Sequence, residues 1–218
     1  MDPILDEEEL PNTFTDEELF TQIWTRPKAV LAYINEYKYD KYVTILLVLA
    51  GIKGSFDRAS MKGKGDSMSM IGILGVCIIF GALFGWITYY ICAAIISFTG
   101  KWLEGRGNTQ AILRVISYSL IPTVISLVLL IPQIGIYGIE MFKSDGDILS
   151  QGIIPNIVFY ASIALEFVLS ICSIVFAVIG IAVVQNFGYG KAFLNIILPI
   201  IIVAIPLLIL FLVTDIFS

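Results

Sequence analysis

The sequence predicts an all-α integral membrane protein, with about five transmembrane helices in one bundle and an amphipathic interfacial helix before them. Hydrophobic residues make up 58% of the 218 residues and charged residues only 14%, whereas a soluble domain carries roughly 25% charged residues. The mean hydropathy is +0.91, and several long stretches carry no charge at all. A chain of this composition cannot cover its surface with polar groups, so most of that surface must face lipid.

Four runs with little or no charge are long enough to cross a bilayer. They are residues 67–100, 115–139, 148–190 and 192–214, and Glu166 is the one charge among them. Crossing about 30 Å of hydrocarbon takes roughly 20 helical residues. Each run must be helical, because an open strand would leave backbone groups without partners in lipid.

A shorter uncharged run, from Tyr42 to Ile52, supplies the fifth span. Extended from Tyr39 to Phe56, it becomes a short, tilted helix whose Lys53 side chain reaches the membrane interface. A re-entrant or surface helix is the alternative for this segment.

The segment before the spans also has helical signals. Thr15 and Glu18 have the spacing of a capping box, apolar residues follow at helical spacing, and Pro27 suits the first turn of a second helix. This segment either lies in the membrane interface or packs on the protein's own loops. The predicted organisation is an acidic flexible tail over residues 1–12, amphipathic pre-membrane helices over 13–41, and a five-span transmembrane domain over 42–218.

The distribution of Lys and Arg favours a cytoplasmic N-terminus. Five spans place eight basic residues on the N-terminal side and five on the other, and basic residues are enriched on the cytoplasmic side. The four positive charges of the first loop oppose this orientation. Ten of the 18 acidic residues lie within residues 1–41. The acidic N-terminus does not have the pattern of a cleavable signal peptide, and it is a candidate surface for a basic protein partner.

The residue counts exclude many catalytic and metal sites. The chain has no histidine, which excludes Ser-His-Asp and Cys-His catalytic sets and zinc sites with histidine ligands. Its three cysteines, Cys77, Cys92 and Cys172, lie in apolar runs and are expected to behave as small hydrophobic residues. No nucleotide or metal motif is present, and no broad basic patch points to nucleic acid. We therefore expect no catalytic residues, cofactor, metal ion or nucleic-acid partner.

Several short elements occur in an order that resembles the Yip family, the Ypt/Rab-interacting membrane proteins, and most closely its prokaryotic branch. The elements are Trp24-x-x-Pro27, Ala50-Gly51-Ile52, Gly100-Lys101-Trp102, Gly105-Arg106-Gly107, Tyr118-Ser119-Leu120-Ile121-Pro122 and Gly188-Tyr189-Gly190-Lys191-Ala192. The resemblance covers residues from about 18 to 217. It implies five helical spans, a cytosolic N-terminus, a prokaryotic cytoplasmic membrane and no known catalytic activity. The Asp-Leu-Tyr-Gly-Pro element of the eukaryotic branch is absent, so Rab GTPase binding is not carried over.

Glu166 is the one charged residue within the long apolar runs. An ionised carboxylate at the centre of a membrane helix costs on the order of 3 kcal/mol on insertion scales, and a dry site favours its neutral form. We expect Glu166 to face the bundle. It is either a proton- or cation-binding group or a neutral hydrogen-bonding clamp between helices.

Prolines and small residues mark the remaining spans. Helix kinks are expected at Pro122, Pro132, Pro199 and Pro206. Broken helices occur at transporter binding sites, but prolines are also common in membrane helices that transport nothing. Cys77, Gly81 and Gly85 form a small-residue face that allows close helix packing, either within the monomer or in a homo-oligomer.

The loop after the second span carries three cations, Lys101, Arg106 and Arg114. Together with the flexible glycines of the loop they are candidates for contact with a lipid headgroup. Ordinary cytoplasmic anchoring is the alternative explanation for these charges.

The residues therefore favour a non-catalytic multi-pass scaffold or adaptor in membrane organisation or trafficking-like processes, with lipids as partners and a second copy as a further candidate partner. The alternative is a small channel or secondary transporter for an ion or small solute that uses Glu166. A water-accessible vestibule that reaches Glu166 would favour transport, whereas a dry, packed environment would favour the scaffold.

Overall fold

The computed structural model describes residues 14–202, and the regular elements in this part of the chain are all helices. The α-helices are α1 (Asp16–Gln22), α2 (Pro27–Glu36), α3 (Val43–Met61), α4 (Met70–Trp102), α5 (Thr109–Ser119), α6 (Ile121–Ile125), α7 (Leu127–Tyr137), α8 (Ile153–Gln185) and α9 (Tyr189–Ile202). Short 3-10 turns occupy Lys64–Asp66, Gly138–Phe142 and Leu149–Gln151.

Three segments of the described chain are long and apolar enough to cross a membrane: Met70–Trp102, Ile121–Phe142 and Ile153–Gln185. They correspond to the second, third and fourth predicted spans. The first predicted span, α3, is a helix of 19 residues that also carries Lys53, Asp57 and Arg58. The last, α9, is a shorter apolar helix that extends to the end of the described part. The count of five spans stays a prediction, and the predicted acidic tail and Pro206 lie outside the described residues.

The third predicted span is not one continuous helix over residues 115–139. Helix α5 ends at Ser119, and α6 begins at Ile121 with Pro122 in its first turn. The proline ring fixes the backbone and removes an N–H donor, which disfavours an unbroken helix at this point. Residues 115–119 instead belong to α5, which has Ile112 and Val115 fully buried. Of the other predicted kink sites, Pro132 lies inside α7 and Pro199 inside α9.

The chain divides into two compact units. Within the described residues, the first comprises residues 14–39, 91–115 and 178–202, and the second comprises Asp40–Tyr90 and Ile116–Ala177. The long helices α4 and α8 contribute residues to both units.

The N-terminal helices of the first unit begin as the sequence predicts. Thr15 and Glu18 form the complete capping box at the start of α1, and Pro27 is the first residue of α2. The apolar faces of the two helices are buried, with Ile23, Val30 and Ile34 fully covered. The capping prediction is confirmed, and burial of these faces shows that they pack on protein.

In the second unit, α3 and α4 approach closely at glycines. A Cβ atom on Gly51 would lie 2.5 Å from the Cα of Gly85 and 2.6 Å from the carbonyl oxygen of Gly81. One turn earlier on α4, the Cys77 thiol contacts the Ser55 carbonyl oxygen at 3.5 Å. The small-residue face of Cys77, Gly81 and Gly85 therefore packs against α3 of the same chain.

The hydrophobic core of the second unit lies beside this helix contact. Its buried members are Phe56, Ala59, Ile73, Cys77, Leu130 and Phe142. They come from α3, α4, α7 and the 3-10 turn after α7, so this core fixes the position of α3 relative to α4 and α7.

Candidate functional site

The candidate site is a cluster of charged and polar side chains in the second unit, centred on Glu166. Gln133 Nε2 donates a hydrogen bond to Glu166 Oε1 at 3.0 Å, and Lys53 Nζ donates to Glu166 Oε2 at 3.4 Å. The Glu166 side chain is 27% exposed. Side chains from α3, α7 and α8 therefore meet at this carboxylate.

Lys53 lies between two carboxylates. Its ammonium group is 2.5 Å from Asp57 Oδ1, one helical turn away on α3, and 3.4 Å from Glu166 Oε2. The Lys53 side chain is only 5% exposed, whereas that of Asp57 is 48% exposed. The expectation that Lys53 reaches the membrane interface is wrong, because its charge is compensated inside the protein.

Glu166 has one partner of the expected kind, the Gln133 amide, and one that was not expected, the Lys53 ammonium group. A neutral carboxyl group that binds an uncharged Ser, Asn or Gln was one interpretation of the sequence. The structure places a cation against Oε2 and the Gln133 amide against Oε1. Each oxygen of the Glu166 carboxyl group therefore accepts one hydrogen bond, one from a cation and one from an amide.

A cavity of about 300 Å³ adjoins the cluster. Lys53, Asp57, Gln133 and Glu166 line it together with the polar residues Ser60 and Tyr137. One cation and two carboxylates give this lining a formal charge of −1. Near the same cavity, the Tyr137 hydroxyl donates to the Pro155 carbonyl oxygen at 2.5 Å. This group ties the end of α7 to the first turn of α8.

The chemistry available at the cluster is that of ion pairing. Carboxylates, an ammonium group and an amide can hold helices together, exchange a counterion or orient a polar solute. Among the described residues, no three His, Cys, Asp or Glu side chains come together as a metal site would require.

Sequence reasoning located Glu166 and expected an amide among its possible partners, but it missed Lys53 and Asp57. Lys53 and Asp57 are four residues apart, the spacing of neighbours on one helix face. A cation directly after the short apolar run and a single carboxylate in the long run 148–190 were a signal that the two could pair. The sequence could not show which helices are adjacent, because pairing across 113 residues depends on the packing of α3 against α8.

A second polar centre lies in the first unit, around Gln185 at the end of α8. Gln185 is 1% exposed and Asn195 is fully buried. Gln185 Oε1 accepts from the Gly107 backbone N–H at 2.8 Å, and its Nε2 donates to Asn195 Oδ1 at 3.2 Å. Asn195 Nδ2 donates to Thr99 Oγ1 at 2.9 Å. This network joins α4, the following loop, α8 and α9, and Gln185 was not identified from the sequence.

The glycines of the loop after α4 are explained by this centre. A Cβ atom on Gly105 would lie 2.7 Å from the Phe187 ring, and one on Gly107 would lie 2.6 Å from Val184 Cγ1. Side chains larger than hydrogen do not fit there without movement of the buried groups. The glycines thus allow the loop backbone to reach Gln185.

The three cations proposed to contact a lipid headgroup do not share one surface. Lys101 and Arg106 are exposed, whereas Arg114 is buried, with 6% of its side chain accessible. Any contact of this loop with a headgroup would therefore involve Lys101 and Arg106.

Comparison with protein families decides the family of the chain. A family model described as the Yip1 domain matches residues 21–211. The chain belongs to the Yip1 domain family. The predicted Yip resemblance is therefore confirmed, and the match includes both polar centres. No curated protein and no solved structure matches the chain.

Membership in the Yip1 family agrees with the apolar helices of the structure. The chain is a Yip1-family membrane protein with three helical segments long and apolar enough to cross a bilayer. The Yip1 family is not known for enzymatic activity.

Proposed function

We propose that this Yip1-family chain is a non-catalytic, multi-pass membrane scaffold or adaptor that organises membrane lipids and a protein partner. The proposal rests on the contacts that the internal polar side chains of the protein make with one another. Lys53, Asp57, Gln133 and Glu166 bind one another across three helices, and Gln185 and Asn195 bind backbone and each other. Groups that are engaged in fixed contacts between helices stabilise a defined shape, which is what a scaffold requires.

The membrane arrangement belongs to the same proposal. We propose that α3 and α9 complete five crossings in one bundle, with the N-terminus in the cytoplasm of a prokaryotic cell. The uncharged sequence from residue 192 to 214 is long enough for the last crossing. Neutralisation of Lys53 within the protein lowers the cost of placing α3 in lipid.

The acidic segment at residues 1–41 is the proposed site for a basic protein partner, and its ten carboxylates support that choice. Homo-oligomers remain part of the proposal through surfaces other than the Cys77, Gly81 and Gly85 face.

A second candidate function, a channel or transporter for a cation or small solute, is supported by one observation. The cavity of about 300 Å³ includes Glu166 and Asp57 in its wall, and both carboxylates are partly exposed. A cation entering this cavity would meet two carboxylates and would compete with Lys53 for them.

Flux in proteoliposomes separates the two candidates. Protons and monovalent cations are tested with the full chain, with Glu166→Gln and with the control Glu104→Gln, which makes the same chemical change at an exposed loop position. The scaffold proposal predicts no flux above empty liposomes for any of the three proteins. Flux in the unmodified chain and in the control, lost in folded Glu166→Gln, would refute the scaffold and support transport.

A pull-down tests the adaptor role directly. Full-length protein in detergent is mixed with membrane extract, and the mixture is then crosslinked. The acidic residues of 1–41 are either intact or replaced by their amides. The proposal predicts a discrete crosslinked partner that disappears when the acidic residues are neutralised. Equal recovery of every species by both proteins would contradict it.

A further inference from the structure

A groove on the second unit combines an apolar wall with a cationic end. Its volume is about 490 Å³, and it lies between the last turns of α3 and the first half of α4. Ile73, Val76, Phe80 and Phe84 line the α4 side. Consecutive residues of this set are three or four positions apart, so they form one stripe along the helix. The rings of Phe80 and Phe84 stack at 5.7 Å, and each side chain is more than half exposed.

Three cations lie at the end of this groove nearest the loop. Arg58 is in the last turn of α3, and Lys62 and Lys64 flank Gly63. Gly63 has a left-handed backbone with φ of 56°, which turns the chain so that both lysines line the groove. Within residues 14–202, none of the ion pairs to a carboxylate involves these three cations. Arg58 Nη2 instead donates to the Ser55 hydroxyl at 3.1 Å.

The length of the apolar wall matches one leaflet of a bilayer. Eleven residues separate Ile73 from Phe84, a rise of about 16 Å at 1.5 Å per residue. Half of the roughly 30 Å hydrocarbon core of a bilayer has the same depth. The groove therefore has the length for one acyl chain and a cluster of cations where the phosphate of that chain's headgroup would lie.

We propose that this groove binds one anionic phospholipid, with the headgroup phosphate on Arg58, Lys62 and Lys64 and one acyl chain along Phe80 and Phe84. Charge complementarity identifies the occupant. An uncharged or basic peptide would leave the cations without partners, and a zwitterionic lipid would present them with a balancing positive charge. This site is separate from the loop cations Lys101 and Arg106, and it does not depend on the scaffold proposal.

The test compares lipids that share acyl chains and differ in headgroup. The full chain is purified in detergent, and bound lipid is counted by native mass spectrometry with phosphatidylglycerol or phosphatidylcholine. Variants are Arg58→Gln/Lys62→Gln/Lys64→Gln and Phe80→Ala/Phe84→Ala. The charge-matched control Arg26→Gln/Lys38→Gln/Lys191→Gln removes three exposed cations from the first unit.

The unmodified chain and the control should bind phosphatidylglycerol in preference to phosphatidylcholine. Removal of the groove cations should weaken phosphatidylglycerol binding by about fivefold for each cation, since a basic residue near an anionic lipid contributes about 1 kcal/mol. The phenylalanine variant should weaken binding of both lipids while the headgroup preference persists.

Four results of the lipid-binding measurements would overturn the proposal, and a fifth concerns the oligomeric state. They are equal binding of the two lipids by the unmodified chain, retained preference in the groove-cation variant, an equal loss in the charge-matched control, and displacement of phosphatidylglycerol by glycerol phosphate with no effect of the phenylalanine variant. The last result would indicate a site for a free phosphate compound. A protein dimer that is lost only in the groove variants would assign the groove to a second copy and would likewise overturn lipid binding.

Discussion

Replacement of both carboxylates that face Lys53 should destabilise the protein more than the sum of the two single replacements. The changes are Asp57→Asn, Glu166→Gln and the double variant. In either single variant the Lys53 ammonium keeps one carboxylate, at 3.4 Å from Glu166 or 2.5 Å from Asp57. In the double variant a cation whose side chain is 5% exposed has no anionic partner.

The exposure of each group sets the expected magnitudes. Asp57 is 48% exposed and Glu166 is 27% exposed, so each single loss should be near the surface value of up to about 1 kcal/mol, or slightly above it. Loss of the last partner of a buried charge costs about 3–5 kcal/mol. The double variant should therefore exceed the summed single losses by about 1–3 kcal/mol.

A third change identifies the cause. Lys53→Met in the background of the double variant removes the unpaired cation and keeps a long apolar side chain. Stability should return towards that of the single variants, because an apolar residue of similar size can replace a buried ion pair at little cost. The assay is reversible unfolding in mixed micelles, followed by tryptophan fluorescence.

The control is Glu140→Gln, which removes one partner of the more exposed ion pair between Lys143 and Glu140 at 2.5 Å. Its effect should stay below about 1 kcal/mol. Additive single losses, or a triple variant no more stable than the double variant, would refute the view that Lys53 depends on its two carboxylates.

Two further predictions concern helix packing and pH. Gly81→Ala places a Cβ atom 2.6 Å from the Cα of Ile52 and should cost about 1–3 kcal/mol in the same unfolding assay. The control is Gly75→Ala on the same helix, where a Cβ atom would have nothing within 4 Å, and it should be neutral or stabilising by up to about 1 kcal/mol. Equal losses of stability in the Gly81 and Gly75 variants would contradict the close α3–α4 contact. The backbone N–H and hydroxyl of Thr15 donate hydrogen bonds to Glu18 and hold the pKa of that carboxyl below its ordinary value. The capping box therefore stabilises α1 fully when the pH is above the ordinary pKa of Glu18. This stabilisation is lost as the pH falls through the lowered pKa of Glu18 in the folded protein. NMR titration should show a higher Glu18 pKa in Thr15→Ala than in the unmodified chain, and an unchanged value would contradict the role of the hydroxyl.

Local signals predicted the starts of the N-terminal helices and the three apolar segments. The capping box of Thr15 and Glu18 and the helix that begins at Pro27 depend on residues a few positions apart. The hydropathy of α4 and α8 depends only on composition. The break near Pro122 was expected as a kink, but the structure shows that α5 becomes a separate amphipathic helix before it. The same proline predicts either a kink or a full break of the helix. The burial of Ile112 and Val115, which holds α5 as a separate helix, decides for the break.

The candidate site was only partly predictable. Glu166 stood out because a carboxylate in an apolar run is costly and needs a partner. Lys53 was expected at the membrane interface because a long side chain near a helix end can extend to water. Lys53 is buried where two carboxylates meet its ammonium group. Asp57 is on α3 itself, whereas Glu166 comes from the distant helix α8.

The sequence by itself determined that this is a helical membrane protein of the Yip1 family, because solvent preference and family pattern are properties of composition and local order. Tertiary structure alone decided which helices are neighbours. It placed α3 on the glycines of α4, Lys53 against Glu166, Gln185 beneath the Gly105–Gly107 loop, and three cations at the end of an apolar groove. The physical reason is that lipid satisfies the outward faces of all apolar helices alike, so hydropathy cannot specify a partner. Close glycine contacts and buried charge pairs can specify which helices are neighbours, because each has few favourable arrangements.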